Sequence, residues 1–334
     1  GFEIASEQLR LPVKEISSEE LNIAHLSPLQ LLQGEKDILL SGSDFTLIFD
    51  KEAGSLRSIN YKGRDLISGA IKPCFWRVPT DNDEGGKANS YAQRWRNEGI
   101  DNPQIIPLSM EVELIQPQVA KVSVKNKIQF KKGSINYLAN YFIYSSGDIQ
   151  IQNLFTTEDD LPPLARIGLQ FSLPSTYTNI EWYGNGPHES YADRKESAYA
   201  GLYNGKISDQ HFPHVMPQEN GNKSDVRWMF LSANDGNGLL IASDSLLNVN
   251  VQDYSLDALN KSKLSHQLSR GENVYMNIDM KQMGLGGDDS WSPRVHPEYL
   301  LNEKTYEYTF RIKPLESDKN INRIVKLKLP APKL

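Results

Sequence analysis

Val119-Ala120-Lys121-Val122-Ser123-Val124-Lys125-Asn126-Lys127-Ile128-Gln129-Phe130 alternates apolar and polar positions over most of its length, and Lys131-Lys132-Gly133 follows it. Successive side chains of a strand point to opposite faces, so this pattern specifies a half-buried β-strand ending in a hairpin turn. Residues 134–145 and 147–157 repeat the texture around Ser145-Ser146-Gly147, and residues 110–115 lead into it. A run of long hairpins therefore sets the class of the fold.

Outward from this centre the texture persists. Upstream, residues 37–40, 45–50 and 56–61 are joined by Ser41-Gly42-Ser43-Asp44 and Lys51-Glu52-Ala53-Gly54-Ser55, which reads as a β-meander. Downstream, strands are expected over residues 166–173, 179–183, 226–232, 238–243, 248–253 and 304–314. Helices are expected to be short, at residues 90–97, around 255–258 and at 195–199. There is no alternation of strands with helices and no repeat of the length that makes propellers or solenoids. The expected class is all-β, a large antiparallel sandwich of two large sheets.

The ends read differently. Leu9, Leu11 and Val13 share one face of a strand that needs partners from residues before Gly1, and Gly1-Phe2-Glu3-Ile4 opens in mid-pattern without a signal segment. The sequence is therefore expected to begin inside a larger protein. Residues 14–36, with Ser17-Ser18-Glu19-Glu20 and Pro28, read as a connector. The tail from Glu316 turns basic and apolar at Ile324-Val325-Lys326-Leu327-Lys328-Leu329, which suggests an edge strand.

Composition narrows the function classes. Of 334 residues, 39% are hydrophobic and 23% charged, ordinary for a globular chain with a real core. A net charge of −6 argues against a nucleic-acid partner, which needs basic patches. No stretch approaches the roughly 18 apolar residues of a membrane helix. The single cysteine, Cys74, excludes an internal disulfide and a multi-cysteine zinc site, and its neighbours Ile71, Phe75 and Trp76 mark it as a small buried hydrophobe.

Four segments break the strand texture with glycine, polar and aromatic residues. They are residues 75–86 (containing Arg77-Val78-Pro79-Thr80-Asp81-Asn82-Asp83-Glu84-Gly85-Gly86), residues 182–194 (containing Gly184-Asn185-Gly186-Pro187-His188-Glu189), Pro217-Gln218-Glu219-Asn220-Gly221, and Met283-Gly284-Leu285-Gly286-Gly287-Asp288-Asp289-Ser290-Trp291-Ser292-Pro293. Binding and catalytic residues gather on loops held by a rigid scaffold, so four such loops suggest one composite face. Trp291 sits on a polar, glycine-rich loop, where a flat ring suits stacking on a ligand and equally suits plugging the loop onto its own core.

A calcium loop at Asp81 fails, because its fifth position is Gly85 and its twelfth is Ala92. Asp81 and Asp83 read as turn caps, and Asp288 and Asp289 as partners of backbone amides around the glycines. No metal site is expected. Glycoside hydrolysis needs two carboxyl groups about 5–10 Å apart, and Glu189 and Glu219, beside His188 and His214, could supply them. An ion pair of Glu189 with Arg194 and a plain turn at Glu219-Asn220-Gly221 explain the same residues without chemistry.

Taken together, the loops resemble the C-terminal part of the large β-galactosidases of glycoside hydrolase family 2. The matching segments are Gly1-Phe2-Glu3-Ile4-Ala5, Arg77 to Asp83, Gly184 to Glu189, Pro217 to Gly221 and Met283 to Pro293. The resemblance implies a β-supersandwich similar to the galactose mutarotase fold over residues 34–316. It implies the closing strand and linker of an immunoglobulin-like domain over residues 1–33, and a tail at 317–334. It places both catalytic glutamates, with magnesium and sodium sites, on a barrel upstream, so no catalytic residue and no cofactor is expected here.

Trp291 would stack on the sugar or leaving group at the aglycone side, and Glu84, Gly85, Gly86 and Lys87 would begin a mobile loop over the active site. Asp81, Asn82, Asp83, Asp288, Asp289, Glu219, Asn220 and His188 would support the site. The implied partner is a β-galactoside bound jointly with the barrel, in a homo-oligomeric full-length protein, of cytoplasm or periplasm alike. Two rival readings are a free-standing carbohydrate-binding module and an aldose epimerase using a His and a Glu in the sandwich cleft.

Overall fold

The computed structural model describes residues 4–9, 11–13, 19–289, 292–317 and 320–330. Strands β1 (Gln30–Gln33), β2 (Asp37–Ser41), β3 (Phe45–Asp50), β4 (Ser55–Tyr61) and β5 (Arg64–Asp65) form a five-stranded meander in chain order. The other strands are β6 (Lys72–Cys74), β7 (Gln104–Gln116), β8 (Val119–Gln129), β9 (Ser134–Tyr144), β10 (Ile149–Thr156) and β11 (Arg166–Pro174). They continue with β12 (Tyr177–Gly186), β13 (Tyr199–Lys206), β14 (Lys223–Ala233), β15 (Gly238–Gln252), β16 (Asn273–Gln282) and β17 (Thr305–Leu315). These twelve make one sheet, with the path β13–β12–β14–β15–β17–β10–β9–β8–β7 and a branch from β15 through β16 and β11 to β6. The helices α1 (Asp81–Glu84), α2 (Tyr91–Glu98), α3 (Leu256–Lys261) and α4 (Ile321–Ile324) are short.

Every ladder between these strands is antiparallel. The fold is the expected all-β antiparallel sandwich, but its layers are unequal: five strands face twelve rather than two large sheets facing each other. Alternation decides which side chains meet. Val122, Val124 and Ile128 of β8, Tyr137, Tyr141 and Ile143 of β9, and Ile151 and Phe155 of β10 are buried in one core with Leu47 and Phe49 of the meander. Phe49 meets Tyr141 edge to face at 5.1 Å, and Asn126 Nδ2 donates to the Gly54 carbonyl at 2.9 Å, so the small sheet is stacked on the hairpins.

Several expected elements differ, each for a tertiary reason. Residues 238–243 and 248–253 are one strand, β15, whose first half pairs with β17 and whose second half pairs with β16. Residues 195–199 are not a helix; β13 starts at Tyr199, and the cross-strand contact of Trp182 with Tyr203 at 5.3 Å fixes it to β12. Residues 30–33 of the expected connector form β1.

The strand expected at residues 9–13 does not form among the described residues. Leu9, Leu11 and Val13 are exposed there, and the segment is held by side chains, with Gln8 taking both the amide and the carbonyl of Ala200 at 2.8 Å. Without a neighbouring ladder, a lone strand leaves its backbone unpaired. The edge strand expected at residues 324–329 is instead the turn of α4 followed by a lone bridge from Lys328 to Glu20. Ile321, Ile324 and Val325 recur with helical spacing and cover Trp228 and Phe230 on the outer face of the large sheet. Cys74 is buried as expected; its thiol faces the Trp76 carbonyl, and burial raises its pKa.

Candidate functional site

The loops at 75–86 and 283–289 are joined by one buried cation. Arg77 is fully buried and grips Asp83 with two parallel bonds, Nε to Oδ2 at 3.0 Å and Nη2 to Oδ1 at 2.8 Å. Its remaining donors reach the Met283 carbonyl at 2.5 Å and the Gly284 carbonyl at 2.9 Å. The planar fork of a guanidinium suits this division between a carboxylate and two carbonyls. Asp83 in turn closes a capping box with Thr80, accepting from the Thr80 amide at 3.0 Å while its own amide donates to Thr80 Oγ1 at 3.2 Å.

Neighbouring contacts extend this joint. Asn82 donates to the Leu285 carbonyl at 3.2 Å, and the Asp81 amide donates to Gln218 Oε1 at 3.3 Å. Glu84 is tied to Arg96 of α2 by two bonds of 3.0 and 2.5 Å. Helix α2 itself is anchored by Trp95, wholly buried, whose Nε1 donates to the Pro163 carbonyl at 2.7 Å. Gly86 has φ +85°, and a Cβ there would lie 2.5 Å from Pro293 Cδ, so only glycine lets these two loops touch.

Asp193, half-buried in the turn between Tyr191 and Arg194, holds the glycine-rich loop from the other side. Its two oxygens accept the amides of Leu285 at 2.9 Å and Gly286 at 2.8 Å. The approach is close enough that a Cβ on Gly284 would lie 2.5 Å from Asp193 Oδ2. Further along the same loop, Asp289 accepts from the Ser292 amide at 2.8 Å and from its hydroxyl, while Asp288 pairs with His296 Nε2 at 2.8 Å in an exposed contact that raises the His296 pKa.

Below these loops lies a second buried charge cluster. Arg166, fully buried, faces Glu219 at 3.2 Å and Asp279 at 3.4 Å, one cation between two carboxylates. Glu219 also accepts from Asn250 at 3.1 Å, and its amide donates to the Val78 carbonyl at 3.0 Å. Burial pushes the Asp279 carboxyl up to about 7, because desolvation outweighs the attraction of Arg166 and Glu219 adds a like charge. Asn220 is woven in as well: its carbonyl accepts from Asn250 and Gln252, and its side chain accepts from the Phe212 amide at 2.9 Å.

The other expected residues are placed as follows. Trp291 and Ser290 lie outside the described residues. Gly85 has an ordinary φ of −59° and ends α1, and Lys87, at φ 52°, starts a short 3-10 turn. His188 is exposed, with its ring nitrogens 2.7 Å from the Glu189 carbonyl and 3.0 Å from the Ser197 carbonyl. Glu189 pairs with Arg194 and accepts the Gly221 amide at 2.7 Å. His214 lies against Phe212 with the rings tilted by 54° and 4.7 Å between centroids. Glu189 and Glu219 are thus engaged by different arginines, and the cavity beside Glu219, walled by Leu256 and Leu259 of α3, is about 10 Å³. That is room for about one water rather than a sugar ring.

Four residues in this architecture have no assigned role from sequence alone. Arg77 and Asp193 stood inside the loop segments 75–86 and 182–194 but without partners, and Arg166 and Asp279 lie in the apolar strands β11 and β16. A lone ionisable residue in an apolar strand implies a buried partner, which was the available signal for the last two. Among the described residues no group of three or more His, Cys, Asp or Glu is arranged to hold a metal ion. No described helix is long and apolar enough to cross a membrane.

The family model described as "Beta galactosidase small chain" matches residues 41–312. A beta-galactosidase of Priestia megaterium (strain DSM 319 / IMG 1521) is 34% identical over 316 residues, covering 94% of this chain and 30% of that protein. A beta-galactosidase of Vibrio cholerae serotype O1 is 30% identical over 321 residues, again covering 94% of this chain and 30% of the relative. The chain therefore spans about a third of the length of these relatives. Among solved structures, a galactose 1-epimerase from Lactobacillus acidophilus NCFM is similar with a TM-score of 0.46 at 10% identity, covering 86% of this chain and 99% of that one.

Proposed function

The chain belongs to the beta galactosidase small chain family, and on that premise we propose that it is the non-catalytic C-terminal region of an enzyme that hydrolyses terminal β-D-galactosides. In this reading residues 1–33 close a preceding domain, residues 34–316 are the β-supersandwich, and residues 317–334 are a tail. The two carboxylic groups of the retaining reaction, one acting as acid then base and one as nucleophile, belong to a barrel elsewhere in the polypeptide. Magnesium and sodium, where used, would bind there too. This chain would bind and orient the departing sugar and keep water from the site mouth, within a homo-oligomeric enzyme.

The observation that carries the proposal is the joint at Arg77. It brings the loop with Asp81, Asn82 and Asp83 and the glycine-rich loop leading to Trp291 onto one face, and it braces both in a dry interior. The engagement of Glu189 and Glu219 in separate ion pairs supports a bracing role for them rather than an acid–base role. The place of Trp291 on the aglycone side rests on the resemblance, and its contribution follows from stacking, worth about 0.5–1.5 kcal/mol for an aromatic contact.

Trp291→Ala in the full-length polypeptide is accordingly expected to weaken the use of a sugar leaving group or sugar acceptor by roughly two- to tenfold. Inhibition by galactose itself should change less. Product partition between hydrolysis and transfer to added glucose checks this, and unchanged partition with unchanged kinetics on lactose would count against the role.

A further inference from the structure

We infer that Arg77 and Asp193 act together as positioning residues for the glycine-rich loop, reading the backbone of four consecutive residues, across three peptide groups, from opposite sides. The guanidinium takes the carbonyls of Met283 and Gly284, and the carboxylate takes the amides of Leu285 and Gly286. Each charge meets the backbone pole of opposite sign. Charge-assisted bonds of this kind are stronger than neutral ones, and here they replace the regular ladder that a strand would provide. Gly284 is required for the approach, since any Cβ would collide with the Asp193 carboxylate.

The arrangement does more than fix one loop. Arg77 is held by Asp83 of α1, Asn82 bonds the Leu285 carbonyl, and Gly86 lies against Pro293. Loop 81–86, residues 283–286 and Pro293 therefore form one mechanical unit, with Asp193 on its far side carried by a turn closed at both ends between Tyr191 and Arg194. Fully buried Tyr191 packs that turn into the protein. A shift at Asp193 must move the backbone at Leu285 and Gly286, although Asp193 lies 92 and 93 residues away in sequence.

The consequence for turnover rests on the proposed function, so the test has two arms that fail separately. The first is hydrogen exchange on the 334-residue chain. Asp193→Asn keeps the size of the side chain but offers only one acceptor oxygen, and turns an N–H pair toward the second amide. Exchange at Leu285 and Gly286 is expected to speed up by roughly tenfold or more, as for loss of a bond to a charged group, while the amides of β8 and β9 stay unchanged. Unchanged exchange at Leu285 and Gly286 overturns the inference.

The second arm is kinetic, in the full-length polypeptide. Asp193→Asn should reproduce most of the acceptor-partition change of Trp291→Ala, leave kcat for an aryl galactoside within about twofold, and add nothing when combined with Trp291→Ala. Additive effects, or an equal fall in kcat for every substrate, would show a general structural role and overturn the inference. If Trp291→Ala itself is silent while exchange at Leu285 and Gly286 responds, the proposed function falls and the positioning role stands.

Discussion

Arg77→Met is expected to lower the unfolding free energy by about 3–5 kcal/mol near neutral pH, the range for removing one partner of a buried ion pair. Asp83 is 1% exposed and would be left buried without its cation, while the carbonyls of Met283 and Gly284 would lose their donors. The loss comes mainly from what is left behind, so Arg77→Met combined with Asp83→Leu should recover a substantial part of it. Denaturant unfolding of the single and double variants checks this. A single variant within about 1 kcal/mol of the parent would mean that water reaches the pair and that the two loops are not locked through it.

Arg166→Met is expected to be comparably severe, about 3–5 kcal/mol at pH 7, because it strands two carboxylates rather than one. Its pH dependence has a definite sign. In the parent protein Asp279 has a folded-state pKa raised from 3.8 to about 7. The folded state therefore keeps a proton that the unfolded state has lost, so this group's contribution falls as pH rises from about 4 to 7. Arg166 holds that pKa down, so removing the guanidinium raises the folded-state pKa of Asp279 further. The deficit of Arg166→Met should accordingly shrink toward pH 5 and widen toward pH 8. Cys74, whose thiol also faces Arg166, stays protonated across this window. Unfolding midpoints at pH 5, 7 and 8 check the sign, and a deficit that does not vary with pH would contradict the buried placement of this cluster.

The hairpins were readable from sequence because burial and alternation coincide in them. Val122, Val124 and Ile128 face the core while Lys121, Ser123 and Lys125 do not, so the period of two is visible without any partner. Where tertiary pairing rather than periodicity decides, the reading failed. Strand β13 is an edge strand with Gly201 and Gly205 in it, fixed by register with β12. Strand β15 looks interrupted because its exposed middle, from Asp244 to Leu246, separates halves that serve different neighbours. The tail folds as α4 because an apolar patch at Trp228 and Phe230 awaits cover.

The candidate site was legible as a set of loops, since glycines, carboxylates and an isolated tryptophan do not suit strands. Its construction was not. The bond from Arg77 to Met283 spans 206 residues, and no local spacing announces such a contact. The same holds for Asp193 and Leu285, 92 residues apart. Glu219 illustrates the converse: its surroundings in sequence allow catalysis, whereas the fold spends its charge on Arg166.

The central claim is that this chain lends a braced loop to chemistry performed elsewhere in the polypeptide. Its most direct test is the rate of aryl β-galactoside hydrolysis by the purified 334-residue chain, measured beside the full-length polypeptide at equal concentration. The account predicts turnover by the full-length protein and none by the chain alone. Turnover by the chain alone that disappears with Glu189→Gln or Glu219→Gln, in variants that remain folded, would contradict it.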